Sequence, residues 1–220
     1  MTTWTGPLLD LLLPCVCPAC RHGPGPGLCP ACRAALRPLV DPCVACGIPR
    51  NGAESCPACH GRGLPGIATV HVAWEYTGLL RELVGVAKIE GRPAAVAALT
   101  DLLPEVRPPA GAVVVPVPPS PGRRSGPHLA TACARALGRA LGCPVVPALS
   151  VTRLAAEQHR LTRPERTRNV AGLFTSRAMS APVLLVDDLL TSGATASAAA
   201  TVLRGAGAPW VGLVVLGRTV

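Results

Sequence analysis

The sequence contains few aromatic and few charged residues. Aromatic residues make up 2% of the 220 residues and charged residues 15%. So few aromatic rings count against a protein that stacks single-stranded bases on an aromatic platform. Hydrophobic residues reach 49%, and this balance excludes an intrinsically disordered chain, which needs low hydrophobicity and high charge. We therefore expect a packed globular protein whose core consists mainly of Ala, Val and Leu.

Long apolar runs are also absent. No run approaches the ~20 residues that a helix needs to cross a bilayer. Residues 7–14 (PLLDLLLP) include an acid, with no basic segment before them and no small-residue cleavage site after them, unlike a secretory signal. We therefore expect a cytoplasmic protein with no transmembrane segment. In that reducing compartment, clustered cysteines bind metal more readily than they form disulfides.

Lysine is almost missing. Of the 21 basic residues only Lys88 is a lysine, and the formal net charge is +9. A basic protein favours anionic partners such as phosphates or nucleic acid. However, eight cysteines that bind two zinc ions as thiolates would add 2 × (−4 + 2) = −4, which reduces the net charge from +9 to +5.

Cysteine, in contrast, is abundant and clustered near the N-terminus. Eight of the 11 cysteines form four C-x-x-C pairs, in which each pair can place two sulfurs on one tight turn. Two such turns supply the tetrahedral four-sulfur shell of a structural Zn²⁺. The predicted metal ligands are Cys17, Cys20, Cys29, Cys32, Cys43, Cys46, Cys56 and Cys59.

The spacing of the pairs favours two zinc ribbons in succession, each built from neighbouring pairs. An interleaved pairing remains an alternative, as do a disulfide scaffold and a single metal site with four spare thiols. Because every ligand is a sulfur, the predicted sites are closed and structural, without the open water position of a catalytic zinc. Cys133 and Cys143 lie outside this cluster, and we expect them to be small buried hydrophobic residues.

After residue 64 the pattern changes to alternating strands and helices. Strands are predicted at residues 69–76, 112–117, 145–149, 183–186 and 210–216, and helices at residues 79–88, 93–103, 129–141 and 195–204. This alternation predicts an α/β fold with a mostly parallel sheet and helices on both faces. We therefore divide the chain into a cysteine-rich zinc-ribbon domain, residues 1–64, and an α/β domain, residues 65–220.

Residues 183–195 (VLLVDDLLTSGAT) form the most informative stretch of the chain. An apolar strand runs into two adjacent acids, and a Thr-Ser-Gly-Ala-Thr turn then leads into a helix. Hydroxyl groups and free helix amides at the carboxyl end of a parallel strand bind anions, and a phosphate monoester fits this position. The acids would repel it unless they face hydroxyl groups or a bound Mg²⁺. The combination therefore predicts a sugar phosphate as ligand.

This stretch resembles the phosphoribosyl-pyrophosphate (PRPP) motif of the type I phosphoribosyltransferases. The resemblance implies a phosphoribosyltransferase-type sheet that binds PRPP with Mg²⁺. It implies that Asp187 and Asp188 hold the 2′- and 3′-hydroxyls of the ribose. It also implies that the 5′-phosphate is held by the loop residues Thr191, Ser192, Gly193, Ala194 and Thr195.

The C-x-x-C pairs ahead of this motif narrow the resemblance to the ComF family, cytoplasmic bacterial proteins tied in some species to competence for DNA uptake. The likeness extends to Lys88, Gly91, Gln158, Phe174 and further positions between them. One element differs, because this chain has Ser-Gly-Pro-His at residues 125–128 where the family usually has Arg-Gly-x-Asn-Gln. The Arg, Asn and Gln of that family pattern, and any reaction step that needs them, therefore have no matching residues in this segment.

The resemblance assigns catalytic positions to Asp187, Asp188, Lys88, Arg123 and Arg166. Arg123 lies where the family has its pyrophosphate loop, so it is a candidate contact for the leaving group. Arg166 belongs to residues 153–177, which have six arginines against two acids, where these folds carry a mobile flap. The alternatives are solvated arginines in an arginine-rich chain and, for Lys88, an exposed lysine at a helix end.

Two functional hypotheses follow. The first is an enzyme of the glycosyltransferase class, a phosphoribosyltransferase that transfers phosphoribosyl to an unidentified acceptor. The second is a protein that handles single-stranded DNA in competence or DNA processing, with proteins of that pathway as partners and PRPP as a regulator or a vestigial ligand. An assembly scaffold that depends on zinc is a third alternative.

Overall fold

The computed structural model describes residues 16–23, 25, 27–119, 128–152 and 172–220. The helices of this part of the chain are α1 (Pro30–Ala34), α2 (Gly78–Ile89), α3 (Pro93–Thr100), α4 (Leu129–Leu141) and α5 (Ala194–Gly205). The strands are β1 (Thr69–Glu75), β2 (Val113–Pro116), β3 (Leu149–Val151), β4 (Phe174–Ser176), β5 (Val183–Val186), β6 (Leu189–Leu190) and β7 (Val211–Arg218).

Five of these strands form one parallel sheet. The order is β1-β7-β5-β2, and β6 also pairs with β7. Strand β7 lies inside the sheet and is buried along its whole length. All four residues of β5 are apolar and buried, as expected for a parallel strand that is covered on both faces. Strands β3 and β4 form a separate antiparallel pair.

Helices cover both faces of the sheet. Leu185 and Leu213 pack with α5 on one face, whereas Leu184 and Val214 pack with α2, α3 and α4 on the other. Successive residues of a strand point to opposite faces, so each apolar strand contributes to both cores. The predicted α/β fold, a mostly parallel sheet with helices on both faces, is confirmed.

Two predicted elements differ from the structure. Helix α3 ends at Thr100 rather than at residue 103, and the indole Nε1 of Trp74 donates a hydrogen bond to the Leu102 carbonyl beyond it, at 2.8 Å. The segment 145–149 is not a continuous strand, since only Val145 forms a bridge, with Val114. Pro147 has no backbone N–H for a ladder, and the next strand, β3, begins at Leu149.

The cysteine-rich segment packs directly on the sheet. The Leu39 amide donates to the Ala73 carbonyl at 2.9 Å, and the Val70 amide donates to the Val44 carbonyl at 2.7 Å, so β1 is flanked by ribbon backbone. The side chain of Leu39 also joins the core on the α5 face. In the described ranges, no helix has the length and apolar character needed to cross a membrane.

Candidate functional site

The eight predicted ligands lie in two groups. Cys17, Cys20, Cys29 and Cys32 form the first group, and Cys43, Cys46, Cys56 and Cys59 form the second. Within each group all four Sγ atoms lie within 4.8 Å of one another. Each ribbon therefore uses two consecutive C-x-x-C pairs, which confirms the sequential arrangement and excludes the interleaved one.

The sulfur spacing fits zinc. Sγ–Sγ distances are 3.8 Å for Cys20 and Cys29, 3.8 Å for Cys43 and Cys59, and 3.6 Å for Cys46 and Cys56. A tetrahedral ion with Zn–S bonds of about 2.3 Å sets its sulfurs about 3.8 Å apart. A disulfide would bring two sulfurs to about 2.05 Å, and these cysteines are free. The groups therefore suit two structural zinc ions rather than disulfides.

Backbone amides and burial act on the thiols in opposite directions. Burial raises the pKa of Cys17, but the amides of Cys29, Cys20 and Ala19 outweigh it and lower that pKa to about 6. Burial and the neighbouring sulfurs raise the pKa of Cys32 to about 12. A metal ion binds thiolates, so it must displace the thiol protons that remain. Because the four sulfurs come together only in the folded ribbon, metal binding is coupled to folding of the ribbon.

We predict two zinc ions per chain, measured by mass spectrometry of metals on the purified protein. Cys46→Ser should reduce the content to one, because the second group loses a ligand. Cys143→Ser is the matched control, since Cys143 is half-buried outside both groups, and it should keep two. A single zinc ion in the unmodified protein would contradict the assignment.

A second cluster lies at the carboxyl edge of the parallel sheet, where Asp187 and Asp188 separate β5 from β6. Strand pairing continues through them, since the Asp187 amide donates to the Val214 carbonyl and the Leu216 amide donates to the Asp188 carbonyl, both at 3.1 Å. The acids are thus held by the register of β7 rather than by a loose turn. The loop begins only at Thr191, after β6.

Lys88 meets this acid pair from the last turn of α2. Its Nζ lies 2.6 Å from Oδ2 of Asp188, and the two side chains are 22% and 13% exposed. Lys88 therefore packs against Asp188 and is not the exposed lysine at a helix end that is the alternative interpretation of the sequence. The acids also act on the buried thiol of Cys133 in α4. Burial, and then the charges of Asp188 and Asp187, raise the pKa of this thiol to about 12.

Asp187 is held in its neutral form more strongly than an ordinary carboxyl. Burial, and then the negative charge of Asp188, raise its pKa to about 7. The amide of Asp188, which donates to Asp187 Oδ1 at 2.8 Å, and the charge of Lys88 act against this rise. A ligand that brings a cation or hydroxyl donors to this edge would favour the ionised form.

The hydroxyl-bearing loop follows directly. Thr191, Ser192 and Thr195 are exposed, so their hydroxyl groups are accessible to a ligand. Gly193 precedes α5 with φ +80°, a conformation that favours glycine. The first helical bond runs from the Ser197 amide to the Gly193 carbonyl, so the amides before it have no acceptor within the helix. One of them, that of Ala194, donates to Oγ of Ser192 at 3.3 Å. The loop therefore offers the arrangement expected of an anion site.

Sequence reasoning did not anticipate a contact between the ribbon and this loop. A Cβ atom on Gly193 would lie 2.7 Å from Cδ2 of Leu64, and Leu64 also packs on the second cysteine group. A side chain at position 193 would collide with Leu64. Glycine is therefore favoured by its backbone conformation and packs closely against the end of the Leu64 side chain, a contact between distant segments that no local pattern signals.

The structure brings together only part of the predicted site. It places the acid pair, Lys88 and the loop at one edge of the sheet. Arg123, Arg166 and most of residues 153–177 lie outside the described residues. A cleft of about 540 Å³ between the end of α3 and α4 is lined by other residues, among them Arg107 and Arg139.

Asp187→Asn should stabilise the free protein increasingly as pH rises. The raised pKa means that ionising Asp187 costs more in the folded protein than in the unfolded one, so this cost grows up to about pH 7 and is constant above. We expect the difference in unfolding free energy between variant and parent to grow by roughly 1 kcal/mol from pH 6 to pH 8, measured by urea titration.

Asp101→Asn is the matched control, because Asp101 is exposed at the end of α3. Its effect on the unfolding free energy should not change over the same pH range. A constant difference between the Asp187 variant and its parent would show that Asp187 has an ordinary pKa.

Comparison with known proteins supports the ribbon assignment. Residues 8–60 match the family model of the double zinc ribbon domain, the segment that holds both cysteine groups. A comparison with curated proteins finds no match.

Proposed function

We propose that the α/β region binds PRPP as its Mg²⁺ complex, in the manner of type I phosphoribosyltransferases, and that the chain is a protein of the ComF type. The observation that carries this proposal is the acid pair. Two carboxylates fixed in strand register stand next to a hydroxyl-lined helix N-terminus, with Lys88 on Asp188. A site for phosphate alone would not place two acids beside the anion.

Each part of the edge matches a part of the ligand. The loop from Thr191 to Thr195 would bind the 5′-phosphate, with its amides and hydroxyls donating to the phosphate oxygens. Asp187 and Asp188 would accept hydrogen bonds from the ribose hydroxyls, which are strong when the acceptor is ionised. Lys88 would orient Asp188 through their ion pair while the ribose enters.

The acid pair also suits a hard cation. Carboxylate oxygens together with phosphate oxygens are the ligands that Mg²⁺ prefers, and Asp187 and Asp188 are the residues that would hold it or its water shell. The bound ion would neutralise the charge of the departing pyrophosphate. The chain's own residues would position the sugar.

Isothermal titration calorimetry with PRPP and Mg²⁺ tests the proposal. Asp187→Asn combined with Asp188→Asn should weaken binding by roughly 10- to 100-fold, because two charge-assisted hydrogen bonds become neutral ones. Asp101→Asn should bind like the parent. Equal affinity of the parent and the double variant would contradict the proposal.

Transfer of phosphoribosyl is the further step of the first hypothesis. It would appear as pyrophosphate release that depends on both an added acceptor and the acid pair. If the protein binds PRPP but releases no pyrophosphate with any nucleobase or amine, PRPP would act as a regulator. That result would favour the second hypothesis, a role with single-stranded DNA.

The second candidate function, binding of single-stranded DNA, is favoured by the excess of arginine. The ribbon contributes little to it, since residues 16–64 have five arginines, two acids and two zinc sites of −2 each, which sum to −1. The charge would have to come from residues 153–177. We expect Arg163→Gln with Arg166→Gln to weaken binding and flatten its salt dependence by about 0.7 per lost phosphate contact. An unchanged salt slope, measured by fluorescence anisotropy, would exclude this role for the segment.

A further inference from the structure

Arg218 occupies an unusual place in the fold. It ends β7, is 5% exposed, and is the one buried charged residue in the part of the chain that the structure describes. Its backbone is fixed on both sides, because it pairs with Glu75 of β1 and with Leu190 of β6. Arginine stays protonated even when it is buried, so a full positive charge lies inside the protein.

Part of this guanidinium lacks a partner. Nε and Nη1 are buried and have no hydrogen-bond acceptor among the described residues. A buried charge without a partner is strongly unfavourable, so a compensating negative charge is expected near it in the metal-loaded protein.

The second cysteine group can supply that negative charge, because its turn packs against Arg218. Gly47 follows Cys46 directly, and a Cβ atom on Gly47 would lie 3.4 Å from Cδ of Arg218. Gly47 has φ +76° and would also meet Val70 and Val72, so the cysteine turn rests on β1 and β7 with little space between them. Burial lowers the pKa of Arg218, while the charges of the four cysteines, Cys46 first, act in the opposite direction.

We propose that Arg218 is the counter-charge of the second zinc site, with its buried guanidinium offsetting the negative charge of the metal-bound thiolates. A Zn²⁺ ion with four thiolates carries −2, so one nearby guanidinium offsets half of that charge and is itself compensated. Groups that support metal ligands in this way tune metal affinity. The second zinc site is then shared by the ribbon and the last strand of the sheet.

Zinc release to a coloured chelator tests this proposal. In the full chain, Arg218→Met should speed release of one of the two zinc ions by about 10- to 100-fold and leave the other unchanged, the range usual for loss of a residue that supports a metal ligand. Arg218→Lys, which keeps the charge but not the planar fork, should show a smaller increase. Arg204→Met is the control, because Arg204 lies near the end of α5 and donates to the Ala208 carbonyl, and both release phases should match the parent.

The affected ion is identified in a chain with Cys17→Ser and Cys20→Ser, where only the second site remains and its single phase should respond to Arg218→Met. Urea unfolding of the same variants separates metal support from general destabilisation. The proposal is overturned if release is unchanged, or if both zinc ions leave faster in proportion to the loss of stability. Should the methionine variant fail to fold, the lysine variant decides by the same criterion.

Discussion

The placement of two carboxylates side by side at the edge of a buried sheet is the constraint on which the site depends. Burial disfavours the ionised carboxyl and the neighbouring negative charge of Asp188 adds to the cost, which is why the pKa of Asp187 rises to about 7. The protein offsets this with Lys88, whose Nζ is 2.6 Å from Asp188. An arrangement that costs stability in the free protein is typical of a functional site, and a cationic or hydroxyl-rich ligand would relieve it.

Strand β7 connects this edge of the sheet to the second cysteine group. It holds the acid pair through the Val214 carbonyl and the Leu216 amide, and two residues later it ends at Arg218 beneath the second cysteine group. Leu64 makes a second connection, from that cysteine group to Gly193 in the hydroxyl-bearing loop. The ribbon is therefore a structural support for the loop as well as a separate metal-binding segment.

Much of this arrangement follows from local patterns. The C-x-x-C pairs predict the ligands because a tight turn alone brings two sulfurs together, and the apolar run 183–186 predicts a buried strand that is found at those residues. Gly142 ends α4 at the predicted position with φ +65° because glycine adopts the left-handed conformation readily. These features depend on neighbours in sequence, so one sequence is enough to predict them.

Other features depend on how distant segments meet. Nothing near Arg218 in the sequence indicates that its side chain is buried, because that follows from docking of the cysteine turn on β1 and β7. The contact between Lys88 and Asp188 likewise depends on α2 packing on the face of the sheet that contains β5. The strand expected at residues 145–149 fails for a local reason, since Pro147 breaks the ladder, but the single bridge of Val145 depends on β2.

A crystal structure of the protein with PRPP and Mg²⁺ tests the central claim most directly. The account predicts the 5′-phosphate on the amides and hydroxyls of residues 191–195 and the ribose hydroxyls within hydrogen-bond distance of Asp187 and Asp188. A ligand bound elsewhere, or an edge in which Lys88 and Leu64 close the loop against the soaked compound, would contradict it.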